Sequence, residues 1–117
     1  MNTLEDTFWS ARTAQLAGAA GEGARAALVV RRGRAIAQAI HLRGAPELTA
    51  IVDASPRAHG ATLYVAHAPD AYAIDIARRA GIGRVVLAAG VALDRRAAFA
   101  WEDAGIRVDR AAEVSAA

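Results

Sequence analysis

The chain has 117 residues, 55% of them hydrophobic, no cysteine, and a net charge of +2 from 14 arginines and 12 acidic residues. That length holds one hydrophobic core and one domain, residues 1–117, and no apolar run is long enough for a helical membrane span. The arginines are scattered and not interleaved with aromatics, which argues against a nucleic-acid groove.

Residues 4–16 place Leu4, Phe8, Trp9, Ala11 and Leu16 at helical spacing. Asn2 or Thr3 is the expected cap, with Glu5 and Asp6 in a favourable first turn. The glycine-rich residues 18–23 read as a turn. Residues 26–30 form a short strand, residues 31–34 a hairpin turn and residues 35–40 the returning strand. After Pro46 a helix resumes, with Leu48, Ile51 and Val52 on its inner side. Residues 61–66 make a third strand. Residues 70–79 make a helix that Asp70 caps and Gly81 ends, with Ile74, Ile76 and Ala77 inward. Residues 84–89 form a buried strand, residues 93–104 a fourth helix stopped by Gly105, and residues 106–108 a last strand. A fraying tail follows from Ala111. A hairpin followed by two strand–helix–strand crossovers predicts an α/β fold: a three-layer α/β/α sandwich on a five-stranded mixed sheet.

Within this layout, residues 60–87 carry the phrase TLYV, then Pro69, then ARRAGIGRVVL. In that phrase the chain resembles the cytidine deaminase-like superfamily, and within it the deoxycytidylate and tRNA-adenosine deaminase branch. The resemblance extends from about Thr7 to Val108. It implies two motifs, His (or Cys)-Ala-Glu and Pro-Cys-x-x-Cys, whose three ligands hold zinc. The metal acidifies a bound water and the Glu moves its proton. Aligned on these motifs, Glu47 stands at the proton-shuttling position and Pro69 is kept. Ala45, Asp70 and Ala73 stand where the ligands would be. Two methyl groups cannot bind zinc, so no metal and no cofactor are expected.

The residues around this degenerate centre are His41, Glu47, His67, Asp70 and Tyr72. Glu47 is either a retained acid–base group, the catalytic candidate, or a first-turn acid serving its helix. Asp70 is either a metal ligand or a helix cap. His41 and His67 end strands on the pocket edge and are candidate ligand-binding residues. Tyr72 either stacks on a base or fills the space left by the metal. His59 is expected in solvent, Tyr64 against a helix, and Trp9 and Trp101 in packing.

The expectation is a zinc-free deaminase-like pseudoenzyme. It would bind a nucleoside- or nucleotide-like ligand, or act as a structural or regulatory partner, including of an active homologue. A hydrolytic cytidine- or deoxycytidylate-type deaminase with a non-standard metal site is the alternative, followed by a metal-free acid–base pair of Glu47 and Asp70. Alanine supplies much of the apolar content and buries little area, so a homo-oligomer is expected. The acidic N-terminus is not a secretory signal, and the expected location is the cytoplasm.

Overall fold

A computed structural model describes residues 3–111. The first helix, α1 (Thr3–Ala20), runs past Leu16 and through Gly18. Ala17, Ala19 and Ala20 sustain it, because alanine is the best helix former and one interior glycine costs only about 1 kcal/mol. The expected turn is thereby shortened and begins at Gly21. The cap expected at Asn2 or Thr3, and the tail beyond Ala111, lie outside the residues whose side chains are described.

The hairpin strands are β1 (Arg25–Arg31) and β2 (Arg34–His41), joined through Arg32 and Gly33. Both turn residues have positive φ, 52° and 76°, which suits the twist of a two-residue hairpin turn. The elements α2 (Pro46–Ala54), β3 (Thr62–Val65), α3 (Ala73–Ala80), β4 (Arg84–Leu87), α4 (Arg95–Asp103) and β5 (Arg107–Arg110) follow. A short 3₁₀ turn, Ser55–Arg57, extends α2. The sheet order is β2-β1-β3-β4-β5. β1 pairs antiparallel with both β2 and β3, while β3, β4 and β5 are parallel. This is the predicted five-stranded mixed sheet.

Strand parity divides the core. Leu63, Val65, Val85 and Leu87 face one side, where Ala50, Ile51, Ala77 and Trp101 from α2, α3 and α4 pack on them. Leu28, Val30, Tyr64 and Val86 face the other side, where Trp9 and Leu16 of α1 lie. α3 and α4 share a face because two successive right-handed crossovers advance in the same direction along the sheet. Tyr64 thus packs against a helix, as expected, and its hydroxyl donates to Asp6 at 2.7 Å.

Two expected details change. Val52 is exposed, because the inner stripe of α2 is Glu47, Ala50, Ile51 and Ala54. α3 begins at Ala73 rather than Asp70, since the chain first turns through residues 70–72.

Gly81 ends α3 in the left-handed region, with φ 85°. A Cβ there would lie 2.6 Å from the His59 ring and 3.0 Å from its Cα. Gly81→Ala should therefore destabilise the protein by about 1–3 kcal/mol, through backbone strain and a clash with main chain. A lowered denaturant midpoint at constant slope checks this.

Candidate functional site

The end of β3 and the start of α2 meet at one cluster. Glu47 is the second residue of α2, after Pro46, and it occupies a position on the stripe that faces the sheet. Its side chain is 0% exposed. His67 lies two residues beyond Val65, so strand parity carries it toward the same face as Leu63 and Val65. There its Nε2 meets Glu47 Oε1 at 2.8 Å. The loop then turns through buried Pro69, which has no amide hydrogen to satisfy. Next, the Asp70 amide donates to Glu47 Oε2 at 2.5 Å. Both carboxylate oxygens are thus committed to protein donors.

Burial by itself would raise the Glu47 pKa. The His67 hydrogen bond, the Asp70 amide and the local backbone outweigh it, and the carboxyl is held below the ordinary glutamic range. An ionised Glu47 can only accept, so His67 Nε2 carries the proton that they share. His67 Nδ1 is buried and has no hydrogen-bond partner among the described residues.

The side chains of the other predicted residues do not join this contact. Asp70 turns its carboxylate away, and Oδ1 accepts from the Tyr72 amide at 2.8 Å. That is the capping alternative, now in a turn ahead of the helix. His41 ends β2 and its Nε2 lies 3.3 Å from Thr49 Oγ1 on α2, not against Glu47. Tyr72 is 81% exposed, so it does not fill the space assigned to the metal. His59 is exposed, as expected, with Gly81 against its ring. Glu47 is more than a first-turn acid, because its carboxylate is the buried centre that holds loop and helix together.

The donor set does not suit zinc. Ala45 precedes α2 and Ala73 opens α3, and neither offers a ligand atom. Glu47 and Asp70 already accept hydrogen bonds from protein. Among the described residues, no group of three or more His, Cys, Asp or Glu side chains is placed to hold a metal ion. A catalytic zinc takes three protein ligands.

A second polar cluster, unforeseen from the sequence, lies under α1. Arg84 of β4 donates through both terminal nitrogens to Asp6, at 3.0 and 2.5 Å, and through Nε to Asp109 at 2.6 Å. Arg107 also reaches Asp109, at 2.8 Å. With Tyr64, these groups tie the first turn of α1 to β3, β4 and β5. Strand register is what aligns them, since Tyr64 pairs with Val86 and Val86 with Asp109.

The topology is that of a deaminase-like α/β/α sandwich, and solved structures agree in fold. The chain superposes on RibD from Acinetobacter baumannii with a TM-score of 0.78 at 20% identity, covering 94% of this chain and 36% of that one. It matches a diaminohydroxyphosphoribosylaminopyrimidine deaminase/5-amino-6-(5-phosphoribosylamino)uracil reductase from Thermotoga maritima at 0.74 and 23% identity, covering 93% and 37%. Apo dCMP deaminase from the cyanophage S-TIM5 matches at 0.75 and 14% identity, covering 94% and 99%. The chain thus spans little more than a third of the two longer proteins and nearly all of the third. No protein-family model and no curated protein matches the chain. The fold is that of the cytidine deaminase-like superfamily.

Proposed function

We propose that this protein is a zinc-free member of the deaminase-like fold that acts by binding rather than by hydrolysis. One observation carries the reading. The acid standing at the family's proton-shuttling position, Glu47, is fully buried and saturated by His67 and the Asp70 amide. An acid–base group must reach the proton it moves, and this one is spent on holding a loop to a helix. The pairing of Glu47 and Asp70 as a metal-free acid–base couple loses support for the same reason: Asp70 contributes its amide, and its carboxylate serves Tyr72.

The ligand we propose is nucleoside- or nucleotide-like, in keeping with the solved dCMP deaminase of the same fold. It would lie at the carboxyl ends of the parallel strands, where open α/β sheets take ligands, with His41, His67, Asp70 and Tyr72 around it. His67 Nδ1 is a buried atom of that cluster without a partner among the described residues. A structural or regulatory role beside an active homologue belongs to the same proposal. So does self-association, since Leu4, Phe8 and Phe99 are exposed, and so does a cytoplasmic location. No described helix is long and apolar enough to cross a membrane.

Metal analysis of the purified protein tests the reading. The expected result is substoichiometric zinc and no ammonia release from a nucleoside and nucleotide panel, with a saturable shift on titration by at least one member. Stoichiometric zinc that disappears in His67→Ala or Asp70→Ala would overturn it in favour of a deaminase with a non-standard site.

A further inference from the structure

The polarity of α1 is inverted. Its inward stripe carries Asp6, Ser10 and Thr13, all buried. Asp6 is tied to Arg84 and Tyr64, and the Thr13 hydroxyl donates to the Trp9 carbonyl at 2.7 Å. Trp9 and Leu16, half-buried, supply the apolar anchorage. The outward stripe carries Leu4 and Phe8, 83% and 60% exposed, followed by exposed Ala11 and Gln15. A surface helix ordinarily sets its apolar stripe toward the core and its polar residues toward water. The outer stripe of α1 advances in steps of four, three and four residues, the seam spacing of two packed helices. Single exposed apolar residues need no explanation, whereas neighbours one turn apart above a polar buried stripe mark a contact surface.

Charge selects the occupant and its direction. Glu5 and Arg12 flank Phe8 along one edge of this stripe, about two turns apart. Glu5 is half-buried and Arg12 is exposed. Arg12 enters no ion pair among the described residues. A second copy of α1 laid antiparallel on the first, with the two-fold axis near Phe8, brings Glu5 of each opposite Arg12 of the other. It sets Phe8 against Phe8, and Leu4 beside Ala11, a large side chain next to a small one. A parallel pairing would oppose Glu5 to Glu5 and Arg12 to Arg12. A two-fold interface requires a self-complementary patch of this kind, and its flanking charges fix the register.

We propose that the chain forms a two-fold dimer through the outer face of α1, packed antiparallel on the α1 of a second copy. This rests on the self-association proposed above and names its surface. Phe99 lies on α4, on the opposite face of the sheet, and takes no part. The Glu47–His67 cluster is also on the far side of the sheet, so the dimer leaves it outside the interface.

Sedimentation equilibrium of the full chain tests this, and the expected species is a dimer. Phe8→Ala should weaken it by about a hundredfold, because one substitution removes an anchor from both halves of the interface. Glu5→Arg and Arg12→Glu should each weaken it by about tenfold at low salt, since each sets like charges opposite one another twice. Mixing these two charge variants should restore dimers of wild-type affinity, because the mixed pair opposes unlike charges at both points. Restoration on mixing also excludes misfolding as the cause of the separate losses. A chain that is monomeric at millimolar concentration overturns the self-association and this surface together. A dimer that survives Phe8→Ala and dissociates in Phe99→Ala keeps the self-association and overturns the surface, as does a mixture of the charge variants that stays monomeric.

Discussion

Glu47→Ala should lower the unfolding free energy by about 3–5 kcal/mol, the cost of breaking a buried pair and leaving its partners unsatisfied. The substitution strands His67 Nε2 and the Asp70 amide, both of which donate to this carboxylate. It also removes the link between the loop after β3 and the start of α2. For a small domain with about 5–15 kcal/mol in hand, that is a large fraction of the total. Glu47→Gln keeps the shape and one acceptor, so its cost should be smaller, about 1–3 kcal/mol. Denaturant melts of the two variants measure both values. Equal stability of wild type and Glu47→Ala would show that the cluster holds nothing together.

The same group gives a pH signature with a definite sign. The folded-state pKa of Glu47 lies below the ordinary value of 4.5. Its stabilisation is therefore complete above about pH 4.5 and drains as the pH falls through the lower folded value. Asp6 and Asp109 are shifted in the same direction. Burial opposes ionisation at each, and hydrogen bonds from Arg84, with Tyr64 or Arg107 beside it, outweigh the burial. Stability should thus fall steadily on acidification below that point. The slope should be shallower in Glu47→Gln, which has no proton to take up there.

Asp6→Ala should be the second severe change, at about 2–4 kcal/mol. It leaves Arg84 without its bidentate partner and Tyr64 without its acceptor, beneath the first turn of α1. The range sits below that for Glu47 because the Arg84 side chain is 18% exposed and keeps Asp109. Tyr64→Phe removes only the hydroxyl bond and should cost about 1 kcal/mol. Burial, followed by the Asp6 hydrogen bond, raises the Tyr64 pKa well above the ordinary phenol range. Its alkaline absorbance transition should therefore move down in Asp6→Ala. Amide exchange should report the same lesion as faster exchange in α1 with β1 unchanged. Uniform acceleration through the whole chain would refute the idea that Asp6 anchors α1 in particular.

The order of elements and the parallel triplet of strands were legible along residues 4–108, because buried strands, a proline loop and glycine stops leave local marks. Gly81 and Gly105 ended helices where local chemistry said they must, since only glycine takes φ near 85° without strain. The start of α3 was misplaced for a local reason as well. Asp70 can cap either a helix or a turn, and only the packing of the loop on α2 selected the turn.

The centre of the site was partly legible. Glu47 falls on the inward stripe with Ala50, Ile51 and Ala54, and His67 keeps the parity of Leu63 and Val65. An acid and a histidine both aimed at one interior are a signal. Their contact could not be deduced, because it depends on where the loop after β3 crosses the start of α2. Tyr72 and Val52 were the converse. Their apolar character suggested burial, and the packing left them exposed.

The sequence by itself determined the architecture, and the absence of cysteine from the chain, since periodicity and composition are legible without tertiary contacts. The tertiary structure decided what the remaining polar groups do. Glu47 and His67 are 20 residues apart, and Asp6 and Arg84 are 78 apart. Pairings over such separations are set by sheet register and helix packing, which no local window contains.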